Sequence, residues 1–224
     1  MKYALSTTDM NKIKARITEQ LVKRYIEKVL TPALREQGWS QVIFEPRTWF
    51  DDKYDLLGLD WKLEQRFFID NGLYPTEEFL AAFKKLTKVL ENLPDGFLIK
   101  LRKTKRTKLL KEALAEFGLE KDNWRIHSFQ PIKRSEYADN EELPIVEGEI
   151  EIVEVKTGKA ILPSNQMISY GKALQEKYVL RFFHVNIISF EKNIFEIEEK
   201  LVTNTEELET VQKNERKRSA HCNQ

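Results

Sequence analysis

The chain has 224 residues, 41% hydrophobic and 33% charged, enough for a real core in one large domain or two small ones. Lys and Arg number 37 against 36 Asp and Glu, which excludes a global basic field, so any surface for a polyanion must be local. The single cysteine, Cys222, excludes an internal disulfide and a cysteine metal cluster; no apolar run nears the ~20 residues of a bilayer span, and residues 1–10 do not read as a signal peptide. These features lead us to expect a soluble, cytoplasmic chain without a membrane partner.

Residues 9–37 are predicted as a helix, with Ile13, Ile17, Leu21, Tyr25 and Val29 at helical spacing. Pro32 is expected to kink or end it, and Gly38 to stop it. Residues 41–44 (QVIF) read as a short strand before Pro46. The acids Asp51, Asp52, Asp55 and Asp60 then stand among aromatics and read as caps and turns. Residues 76–92 form a helix capped by Thr76, with Phe79, Phe83, Leu86, Val89 and Leu90 on its apolar face. Leu93-Pro94-Asp95-Gly96 is read as a turn. Residues 97–101 (FLIKL) are a short strand or the opening of the next helix.

A dense basic block follows: Lys100, Arg102, Lys103, Lys105, Arg106, Lys108 and Lys111. It reads either as a solvated helix face or as a surface contacting phosphate. Residues 105–117 are predicted as a helix stopped by Gly118, and 124–132 as a strand carrying His127. After a polar loop come the residues around Glu154-Val155-Lys156, then a helix from 165 to about 177. Residues 179–190, nearly all apolar, suit a buried strand; 194–201 add an edge strand or short helix, and 203–224 a charged helix fraying into a tail. The run Arg216-Lys217-Arg218 has the charge to touch phosphate, although a terminal run is ordinarily only solvated.

Glu154 and Lys156 end an apolar run and, at a strand period of two, emerge on one face. Glu147-Gly148 reads as a hairpin tip. Pairing Val146 with Glu149 then sets Glu154 opposite Glu141 and Lys156 opposite Asp139, while a shift of one residue brings in Glu142. Two facing carboxylates repel unless a hard divalent cation, Mg²⁺ or Mn²⁺, lies between them. Such a cation acidifies water and offsets charge on a phosphate, and Lys156 is placed to orient or deprotonate the water. The bland alternative is a charged surface hairpin.

The string VEVKTG and the segment around it resemble the core of the PD-(D/E)XK nuclease superfamily. Glu141 and Gly148 stand, relative to Glu154, where archaeal Holliday-junction resolvases carry a first acid and a turn glycine. Gln166-x-x-x-Tyr170 resembles the helix motif of RecB-type nucleases. The resemblance covers roughly residues 105–195 and implies a restriction-endonuclease-like α/β fold, a mixed sheet flanked by helices in the order α-β-β-β-α-β. The expected organisation is a largely helical region 1–104, packed on or part of the core, a nuclease-like core 105–200 and a charged helix and tail 201–224.

The resemblance implies an Mg²⁺- or Mn²⁺-dependent deoxyribonuclease, an endonuclease more than an exonuclease. Glu141 and Glu154 become metal ligands, Lys156 and Gln166 complete the catalytic group, and Lys100, Arg102, Lys103, Lys105, Arg106, Lys108, Lys159 and Tyr170 face DNA. It also admits a homodimer, and an inactive nucleic-acid-binding protein on the same fold. The Pro-Asp of the superfamily is missing before Glu141. Pro94-Asp95 resembles it but reads as a turn tripeptide. A second layout instead opens the fold with the helix 11–36 and strand 41–44, followed by a long insertion; Asp51, Asp52 and Asp55 then compete for the first acid. Glu19, Glu112 or Glu116 would supply the helix glutamate common in the family.

Overall fold

Ile150, Ile152, Val153 and Val155 put apolar side chains on both faces of one strand, the pattern of a strand covered on two sides. The computed structural model buries it that way. It describes residues 7–46, 68–69, 71–90, 94–118, 124–127, 130–133, 141–158, 160–189, 192 and 194–221. Asp51, Asp52, Asp55, Asp60, Asp139 and Lys159 lie outside the described residues.

The helices are α1 (Thr7–Tyr25), α2 (Thr31–Glu36), α3 (Glu77–Val89), α4 (Leu110–Glu116), α5 (Ser164–Gln175) and α6 (Thr205–His221). The strands are β1 (Gln41–Pro46), β2 (Tyr74–Pro75), β3 (Gly96–Leu109), β4 (Trp124–His127), β5 (Gln130–Lys133), β6 (Glu142–Thr157), β7 (Val179–Ser189) and β8 (Ile194–Val202). A six-stranded, mostly antiparallel open sheet runs β1-β3-β6-β7-β8, with β2 paired to β6. The β6–β7 and β2–β6 pairs are parallel. No described helix is long and apolar enough to cross a membrane.

One face of the sheet carries Leu98, Val153, Phe183 and Val185 against Val22, Ile26 and Leu34 of the N-terminal helices. The other carries Phe97, Ile99, Ile152 and Phe182 against Phe79, Phe83, Tyr170, Leu208 and Val211, from α3, α5 and α6. The expected disturbance near Pro32 takes the form of a π-helical segment, Ile26–Leu30, between α1 and α2.

Three expectations change. From Lys100 to Lys108 the basic block is a strand, not the start of a helix: only Lys111 of the block lies on α4, and β3 runs to Leu109. Its partner β6 supplies a ladder along this length, and tertiary pairing overrides the helical preference of Lys and Arg. Four steps on β3, Lys103 to Thr107, match two on β6, Val146 to Pro144, so the chain bulges there. The predicted strand 124–132 is instead a separate two-stranded ladder, β4 with β5.

The hairpin at Gly148 does not form, because β6 is one continuous strand of 16 residues. A Cβ on Gly148 would lie 2.4 Å from the Lys100 carbonyl oxygen and 2.8 Å from Leu101 Cδ2. This glycine therefore serves a close approach inside the sheet, not a turn. β3 runs through residues 104 and 105 and β1 pairs with β3, so strands from both sides of that position share the sheet.

Candidate active site

Glu154 points from β6 toward the face covered by α5, and its side chain is completely buried. The ladder between β3 and β6 pairs Gly96 with Val153, and the next step sets Asp95 opposite Glu154. Asp95 Oδ2 accepts a hydrogen bond of 2.7 Å from the Val155 amide. Pro94 and Asp95 lead directly into β3 at Gly96, and the Asp95 carboxylate is held beside the second acid. The structure brings Pro94-Asp95 and Glu154-Val155-Lys156 together at adjacent ends of two paired strands.

Two side chains from α5 complete the cluster. The Tyr170 hydroxyl, itself fully buried, donates to Glu154 Oε2. Lys156 Nζ donates to Glu154 Oε1 and lies 3.4 Å from the Gln166 carboxamide oxygen, which accepts. Gln166 and Tyr170 are one turn apart, so a single helix face supplies both. Burial pushes the Glu154 carboxyl up to about 7, helped by the charge of Asp95 and opposed by Lys156 and Tyr170.

Glu141 is not part of this cluster. It precedes β6 by one residue, about 43 Å of extended chain from Glu154. Its place as partner of Glu154, which depended on the absent hairpin, passes to Asp95. Glu142 stays with it at that far end, paired with Leu109. Among the candidate helix glutamates, Glu116 holds Lys108 at 2.8 Å and the Tyr74 hydroxyl, and Glu112 shares α4 with it. Glu19, half-buried, is on α1, which packs on the opposite face of the sheet.

The expected DNA-facing residues separate. Lys100 is buried, with Nζ 2.7 Å from both Glu149 and Glu151. The same Glu151 takes Arg181, which also reaches Glu199, and the Tyr25 hydroxyl donates to Glu199 at 2.9 Å. Burial would raise the Glu151 carboxyl, but Arg181 and Lys100 outweigh it and hold the group below its ordinary range. Lys100 is thus a structural cation and not a phosphate contact. Arg102 lies over the Trp39 ring, 4.2 Å from its centroid, and Lys108 is engaged with Glu116. Lys103, Lys105 and Arg106 are exposed, yet Lys105 is about 33 Å of strand from Asp95. Tyr170, wholly enclosed, orients Glu154 and has no access to a nucleic acid.

His184 on β7 is in register with Lys156, and its Nδ1 lies 2.8 Å from Glu215 Oε2 on α6, without an aligned hydrogen bond. Among the described residues no three His, Cys, Asp or Glu side chains gather as a metal-holding group. The protein donors at the cluster are two carboxylates, Asp95 and Glu154. Burial is the main cause of the raised Glu154 carboxyl and the charge of Asp95 adds to it; two hard oxygen donors side by side are a set that a divalent cation would fit. The chain matches no family model, no curated protein and no solved structure.

Proposed function

We propose that this chain is a metal-dependent nuclease of the restriction-endonuclease-like kind that hydrolyses DNA phosphodiester bonds. The observation that carries the reading is the meeting of Asp95, Glu154 and Lys156 beneath Gln166 and Tyr170. The order α1, β1, β3, β6, α5, β7 fits the superfamily's α-β-β-β-α-β core, with β2 and α3 inserted between β1 and β3 and α4, β4 and β5 between β3 and β6. That is the second layout of the sequence, with the first acid at Asp95 in place of Asp51, Asp52 or Asp55.

Asp95 and Glu154 would hold Mg²⁺ or Mn²⁺, which when bound supplies Lewis acidity toward water and phosphate. Tyr170 fixes the Glu154 carboxylate by donating to one oxygen. Gln166 holds Lys156 Nζ at the mouth of the cluster, where the ammonium orients the attacking water and offsets charge as the water oxygen bonds to phosphorus, the P–O bond to the leaving ester oxygen breaks, and that oxygen leaves as an alcohol with the proton the water gives up. The enclosed face behind Glu154 keeps bulk water from the buried side of the site.

Cleavage of plasmid and linear DNA with and without Mg²⁺ tests this. Lys156→Ala and Asp95→Asn should each lower cleavage by about 100-fold or more. Glu141→Gln should cleave as wild type, with all variants keeping the wild-type circular dichroism spectrum at the assay temperature. Undiminished cleavage by Lys156→Ala would sink the assignment. DNA binding without any metal-dependent cleavage by the wild type would instead favour an inactive binding protein.

A further inference from the structure

The basic block on β3 is far from the proposed site, whereas α6 returns to it. Gln212 on α6 clasps Leu162 in the connection from Lys156 to α5, accepting from its amide at 3.2 Å and donating to its carbonyl at 2.8 Å. Glu215, one turn on, meets His184, the register neighbour of Lys156. The C-terminal half of the helix is therefore fixed beside the catalytic end of the sheet.

The helix has two flanks. Leu208, Val211, Gln212 and Glu215 form its buried stripe. Arg218 leans toward β8, donating to Glu198 and to Glu215 at 3.0 Å, so it is spent on structure. Arg216 follows Gln212 by one turn and so lies on the other flank, the side of the Lys156–α5 connection. Lys217 adjoins it on the outer surface. Both are exposed, and among the described residues neither has an ion-pair partner. Lys213, the next cation back, is 3.9 Å from Glu209.

We propose that Arg216 and Lys217 form a phosphate-binding shelf for DNA next to the Glu154–Lys156 site, and that the β3 block does not serve this purpose. The proposal rests on the nuclease reading and adds the surface that holds the substrate backbone. The cations stand at a helix C-terminus, where they also complement the helix dipole, so the test must separate binding from helix stability.

Binding of the full chain to a fluorescein-labelled DNA duplex, followed by anisotropy in Ca²⁺ to suppress turnover, makes that separation across a salt series. The double variant Arg216→Gln, Lys217→Gln should weaken binding about 10-fold and reduce the slope of log K against log salt by nearly two. Its melting temperature should stay near wild type, and Lys105→Gln, Arg106→Gln should bind as wild type. A wild-type slope in the α6 variant, or an equal loss in the β3 variant, overturns the shelf; if the wild type still cleaves DNA, the nuclease reading stands. A wild type that neither binds nor cleaves removes both.

Discussion

Glu154 is a carboxylate enclosed by the chain and facing another acid, and its ionisation costs the fold free energy. With its carboxyl raised from about 4.5 to about 7, the folded, metal-free chain binds that proton more tightly than the unfolded chain does. The stabilising contribution is complete below the unfolded value and is lost as pH rises through the folded one. Denaturant melts in EDTA should lose up to ~3 kcal/mol from this group between about pH 4.5 and pH 7, and Glu154→Gln should flatten that slope. An unchanged pH slope in the variant would place the cost elsewhere. Glu154, Lys156, Gln166 and Tyr170 are legible from sequence because strand and helix periods alone put each pair on one face. Asp95 is not, because its partner is far along the chain and a local turn already explains Pro94-Asp95-Gly96.

At the scale of the element, β6 shows how a glycine misleads. Glu147-Gly148 between two apolar runs satisfies the hairpin rule, but a glycine also appears where two backbones crowd. Here the Lys100 carbonyl and the Phe79 ring occupy the space a side chain would need. Gly148→Ala should cost about 2–3 kcal/mol in a urea melt. A neutral result would mean that the strand can shift to admit a methyl group. The basic block misleads for a related reason: Lys and Arg favour helices in isolation, but the β6 ladder and the acids Glu149, Glu151 and Glu116 are supplied only by the tertiary fold. The apolar runs of β6 and β7 and the helices α3 and α5 are legible because burial on known faces leaves a strong periodic signal.

Across the whole molecule, the sheet does not respect the boundary suggested by the extent of the nuclease-like motifs. A chain beginning at residue 105 would lack α1, β1 and residues 96–104 of β3, exposing Val153, Phe183 and Val185 on one face. Such a fragment should give no cooperative thermal transition by circular dichroism, whereas the full chain should give one. A sharp melt of the fragment would show a core independent of the N-terminal strands. The Asp95 carboxylate accepts the Val155 amide where the β3–β6 ladder ends, so it closes the sheet as well as facing Glu154. The Val155 amide needs an acceptor there whether or not the proposed catalysis operates. Asparagine would therefore be tolerated at 95 better than alanine, and a single exchange of oxygen for nitrogen would remove the proposed chemistry while the architecture persisted.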